Sequence, residues 1–148
     1  MADNHIWDEA YGVSYISTSG ATTIATVNVP IKVAGTTTAG ELEGFTHTTP
    51  GKLTYTGIET AVFKATIHAV IDPAAHPAAL LIGIGVNGVQ DAASLLGLNV
   101  AAHTVPTSFN TTCLVELETD DYVEIFIENN TDNGNVELDC GHLVLVRQ

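Results

Sequence analysis

The segment Thr60-Ala61-Val62-Phe63-Lys64-Ala65-Thr66-Ile67-His68-Ala69-Val70-Ile71-Asp72 decides the fold. Phe63, Ala65, Ile67, Ala69 and Ile71 alternate with Val62, Lys64, Thr66, His68 and Val70. A period of two in small, apolar and β-branched residues is that of a strand with one face in a core. The second face is only weakly polar, so it is expected to be half covered as well. Asp72-Pro73 ends the strand, and Pro73 and Pro77 bracket a loop.

The same period continues on the C-terminal side. Residues 80–86 place Leu80, Ile82, Ile84 and Val86 on one face, and Leu81, Gly83 and Gly85 on the other. Glycines in that pattern admit another backbone or a large side chain at close range. Asn87-Gly88 is a hairpin signal, and residues 89–102 return from it. Residues 108–118 read as a strand with Cys113, Val115 and Leu117 on one face, followed by a turn at Thr119-Asp120-Asp121. In residues 122–128, Val123, Ile125 and Ile127 oppose Tyr122, Glu124, Phe126 and Glu128. A polar loop at 129–135 leads to two last strands, 136–140 and 142–147, separated near Gly141.

The N-terminal half is less regular. Residues 21–29, 31–33, 42–48 and 52–56 are short candidate strands, divided by Pro30, a loop from Gly35 to Gly40, and Pro50-Gly51. Only residues 89–96 could form a helical turn. There is no repeat, linker or shift of composition. The expected fold is an all-β, single-domain jelly-roll sandwich of about eight to ten short strands. Residues 1–20 form an N-terminal arm and first strand, and residues 21–148 the jelly roll.

Composition bounds the function. The chain has 148 residues, 17 acidic and 4 basic, for a formal net charge of -13. Such a balance argues against nucleic acid, whose phosphates need Lys and Arg, and against an anionic membrane surface. An apolar content of 45% is too high for a disordered acidic tail. No apolar run reaches the ~18 residues of a membrane helix. The opening Met-Ala-Asp-Asn-His lacks the pattern of a signal peptide. Charged residues are only 14% of the chain, against roughly a quarter in an average soluble domain. Threonine solvates part of the surface, and burial of the rest in an assembly would account for the shortage.

Gly51-Lys52-Leu53-Thr54-Tyr55-Thr56-Gly57, followed by the long alternating strand, resembles the trimeric jelly rolls of the tumour-necrosis-factor/C1q type found in tailed-phage structural proteins. Those chains often carry an x-L-T-Y-T-G segment, then a strand ending in Asn-Gly, matched by Gly85-Val86-Asn87-Gly88. A hairpin with Asp at its turn follows, matched by residues 115–129. The match covers about residues 45–148 and departs at Thr119, where the pattern usually has glycine. The resemblance implies a homotrimer around a threefold axis, with both chain ends near one base. On that basis Tyr122, Phe126, Leu143 and Leu145 are candidate trimer contacts, the alternative being ordinary core residues between the sheets.

No catalytic residue, metal ligand or cofactor site is expected. His5, His47, His68, His76, His103 and His142 are far apart, without His-x-x-x-His or His-x-Glu spacing. His68 and His142 lie on strands and are the ones a threefold axis could bring near their copies. Cys113 and Cys140 read as buried free thiols, with a disulfide as the alternative. No serine sits in a nucleophile elbow, and there is no phosphate loop or dinucleotide fingerprint. Residues 129–134 begin like a calcium loop but lack its closing Glu, so a polar turn is the expected reading.

The expected function is therefore structural rather than enzymatic: a capsid decoration homotrimer on the virion surface, made in the host cytoplasm. Its partners would be itself and the major capsid protein, with no nucleic acid and no membrane. Ile6, Trp7 and Tyr11 in the N-terminal arm are the candidate capsid contacts. The alternative is a receptor- or glycan-binding head of a phage fibre.

Overall fold

A computed structural model describes residues 9–73, 77–100 and 105–148. The long alternating segment is strand β7, Ala61–Pro73, and its inward residues Phe63, Ala65, Ile67, Ala69 and Ile71 are at most 1% exposed. Before it come β1 (Tyr11–Thr18), β2 (Ala21–Thr22), β3 (Ile31–Lys32), β4 (Thr36–Glu43), β5 (Phe45–Thr48) and β6 (Lys52–Tyr55). After it come β8 (Ala78–Val86), β9 (Val89–Gln90), β10 (Leu96–Val100), β11 (Thr107–Leu117), β12 (Tyr122–Asn129) and β13 (Val136–Arg147). The expected helical turn is a short 3-10 segment, Ala92–Ser94, between β9 and β10.

The strands make two antiparallel sheets. The first runs β11-β7-β13-β1-β4, with β2 on β13, and the second runs β10-β8-β12-β6-β5, with β3 on β12 and β9 on β8. Neighbours within a sheet are mostly distant in sequence, as a jelly roll requires. One hydrophobic core fills the space between the sheets, drawing on β7, β11 and β13 from one side and β6, β8 and β12 from the other.

Two expectations about strands change. Residues 35–40 were expected as a loop, but Thr36–Glu43 forms a strand on β1 with register shifts at Val13 and Ser17. Gly40 belongs to that irregular stretch, where a Cβ would stand 2.9 Å from Val13 Cβ. Tyr11–Thr18 is the first strand and lies between β13 and β4. The two expected final strands are one, with its irregularity between Leu138 and Cys140 rather than at Gly141.

The quoted motifs form one corner of the sandwich. Leu53 and Tyr55 are core residues, and the Tyr55 ring meets Phe63 and Phe45 at centroid distances of 4.9 and 5.4 Å. The Tyr55 hydroxyl donates to the Glu59 carbonyl at 3.1 Å and passes directly over Gly57. The turn between β11 and β12 is stitched to this segment: Tyr55 N–H donates to Asp121 O at 2.8 Å, and Asp120 N–H to Tyr55 O at 2.9 Å. The Asn87 amide joins by donating to Asp121 Oδ1 at 2.6 Å. Asn87 and Gly88 both have positive φ, 52° and 79°, the backbone that a two-residue hairpin needs.

Candidate assembly interface

Period-two strands give each sheet an inner and an outer face, and the outer faces differ in chemistry. On the first sheet, register partners form rows across β1, β13, β7 and β11. One row is Tyr15, His142, His68 and Asn110. The next is Val13, Val144, Thr66 and Thr112, and the third is Tyr11, Val146, Lys64 and Leu114. Of these twelve side chains only Lys64 is charged. Leu114 is 64% exposed and Val146 44%, while Tyr11, Val13, Tyr15 and Val144 are half-buried. The Thr66 and Thr112 hydroxyls satisfy each other at 3.2 Å.

The outer face of the second sheet carries charged side chains among aromatic ones. Glu124, only 4% exposed, pairs with the Lys32 ammonium from β3. The Lys52 ammonium sits 3.7 Å from the centroid of the Tyr122 ring. Phe126 lies over Gly85, where a Cβ would come within 2.3 Å of the ring. This is the close approach that the glycine pattern of residues 81–85 anticipated, and Ser94 packs over Gly83 in the same way.

The four candidate trimer contacts are not brought together. Leu143 and Leu145, at 1% and 0% exposure, point into the chain's own core, so they cannot touch another copy. The outward residues of that stretch are Val144 and Val146. Tyr122 and Phe126 lie on the opposite side of the sandwich, beneath Lys52 and over Gly85. Sequence alternation separated the two faces of each strand, but it could not say which sheet's outer face lacks charge. Among the candidate capsid contacts, Ile6 and Trp7 lie outside the described residues. Tyr11 begins β1, opposite Val146 and Glu43.

The remaining candidate chemistry resolves residue by residue. Cys113 is half-buried and faces inward, whereas Cys140 is exposed rather than buried. Both are free, and they lie on opposite faces of the first sheet. Burial pushes the Cys113 thiol above its ordinary pKa, helped by the charge of Asp91. His47 Nε2 lies 3.0 Å from Thr37 Oγ1, and burial lowers its pKa below the ordinary 6.5. His5, His76 and His103 lie outside the described residues. Residues 129–134 form the polar turn: Asn129 Oδ1 accepts from Thr131 N–H at 2.9 Å, and Asp132 Oδ1 from Gly134 N–H at 2.7 Å. Among the described residues no three His, Cys, Asp or Glu side chains gather as a metal site, and no helix is long and apolar enough to cross a membrane.

Thr119, the departure from the motif, has a specific place. Its hydroxyl donates to the Gly57 carbonyl at 2.6 Å, tying the β11–β12 turn to the x-L-T-Y-T-G segment. The positive φ of that turn falls on Asp120, at 71°, so position 119 does not need glycine.

No family model matches the chain, and no curated protein matches it in sequence. Solved structures match it in fold. The structure of Eiger TNF from S. frugiperda superposes with a TM-score of 0.58 at 12% identity, over 95% of this chain and 93% of that one. Murine APRIL at pH 8.5 superposes with a TM-score of 0.53 at 10% identity, over 93% of this chain and 99% of that one. The fold is therefore the TNF-like jelly roll expected from the motifs.

Proposed function

We propose that the chain is a non-catalytic structural module that works as a closed homotrimer, joined through the outer face of its first sheet. The observation that carries this reading is the set of three register rows with one charge among twelve side chains. A sheet face turned to water normally alternates polar against the apolar inner face. Tyr11, Val13, Val144, Val146 and Leu114 break that rule on the first sheet. A cyclic assembly covers such a face without leaving an open, growing edge. The chain's remaining acidic charge then faces solvent, where it keeps particles apart.

The trimer's place, on this proposal, is the outer surface of a virus capsid, bound to the major capsid protein as a decoration that stabilises the head. Support for that part comes from the sequence motifs and from the arrangement of the chain ends. Arg147 N–H donates to Ala10 O at 2.9 Å, so the two ends of the described chain leave the sandwich side by side. Tyr11, at the start of β1, lies at that end, where a capsid contact would use it. Adding purified protein to expanded heads that lack it tests this directly. Saturable binding with increased resistance to heat is the expected result. Absence of binding overturns the capsid assignment, and loss of host adsorption after loop substitutions would favour a fibre head instead.

A further inference from the structure

We propose that His68 and His142 form a two-imidazole site for a borderline divalent transition-metal ion such as Zn²⁺ or Ni²⁺. Far apart in sequence, they are direct register partners on β7 and β13. Both side chains are exposed on the outer face of the first sheet, and neither has a hydrogen-bond partner among the described residues. Directly opposed residues of an antiparallel pair hold their Cβ atoms about 4.5–5.5 Å apart. Two imidazoles rooted at that separation can both reach an ion at about 2.0–2.1 Å from nitrogen without moving the backbone.

The strands make the pair rigid. β7 and β13 are in register on both sides of it, and the flanking inward residues Ile67, Ala69 and Leu143 are at most 1% exposed. The Tyr15 ring lies 6.0 Å from the His142 ring and closes one side of the site. Neighbouring rows supply Val144, Thr66, Val70 and Cys140 but no carboxylate. Hard ions such as Ca²⁺ and Mg²⁺ require oxygen ligands and are therefore excluded, whereas neutral imidazole suits zinc, nickel and copper. Two of the four positions around a tetrahedral ion are left to water.

The chelate needs only one chain, although the pair lies on the face assigned above to self-association. Calorimetric titration of the full chain with Zn²⁺ at neutral pH tests it. The expected result is one ion per chain, with affinity at least about tenfold weaker in His68→Ala and in His142→Ala. His47→Gln, whose parent side chain is engaged by Thr37, should leave the affinity unchanged. No binding by the parent chain, one ion per three chains, or unchanged affinity in both alanine variants would overturn the site. Light scattering of the same samples with chelator keeps the two readings separable. A trimer that binds no zinc overturns the site alone, and a monomer that binds one ion per chain overturns the assembly alone.

Discussion

At Gly57 a hydrogen stands where any other side chain would collide with a core tyrosine. A Cβ there would lie under the end of the Tyr55 ring, which Phe45 and Phe63 hold in place. Gly57→Ala should therefore lower the folding free energy by about 1–3 kcal/mol, read from the urea midpoint. Thr119→Val removes the hydroxyl that satisfies the Gly57 carbonyl and should cost about 0.5–1.5 kcal/mol by the same measurement. The x-L-T-Y-T-G segment was legible as a pattern because a buried tyrosine beside a required glycine tolerates few substitutes. What the pattern could not convey was its partner, since Thr119 is 62 residues away in sequence. His47 adds a pH dependence. Its pKa is lowered on folding by burial, so the unfolded chain holds this proton more tightly. The contribution of neutral His47 is intact above about pH 6.5 and is lost as the pH falls toward the folded-state value. His47→Gln should flatten the fall in urea midpoint between pH 7 and 5 relative to the parent chain, and an unchanged slope would contradict it.

β13 carries the contrast between core and interface on adjacent residues. Leu145 is fully buried and Val144 is half-buried on the outer face. Leu145→Ala should cost about 2–5 kcal/mol in folding stability, as core truncations do. Val144→Glu should leave the thermal transition of the fold nearly in place but reduce the mass in solution toward one chain. A folded assembly that tolerates Val144→Glu would contradict the assignment of this face. The strands with strong period two, β7, β8, β11 and β12, were legible at almost their full length, because alternate burial is written directly into Phe63-to-Ile71 and Leu80-to-Val86. β4 was not, since Thr-Thr-Thr-Ala-Gly-Glu has no buried face of its own and pairs with β1 through irregular register. The surroundings of Tyr122 and Phe126 were not legible for a related reason. Alternation shows that a strand has two faces, whereas the neighbours contributed by β3, β6 and β8 decide what covers the outer one.

For the molecule as a whole, the shortage of charge and its placement are one fact. The chain carries 21 charged residues, 17 acidic and 4 basic, and the middle rows of one sheet face hold only Lys64 among them, with Glu43, Glu116, Asp72 and Glu137 at the margins of that face. The fold was legible from strand pattern and motif together. The position of the uncharged rows was not, because it depends on register between residues as far apart in sequence as Tyr11 and Val146. A face of Tyr, Val, Thr and His on a single sheet is what a chain needs to meet copies of itself, and the rest of the surface keeps the acidic repulsion that limits further aggregation. Light scattering coupled to size exclusion, on the purified chain in chelator at neutral pH, tests this most directly. The account predicts a single species with the mass of three 15.5 kDa chains; a folded species with the mass of one chain would contradict it.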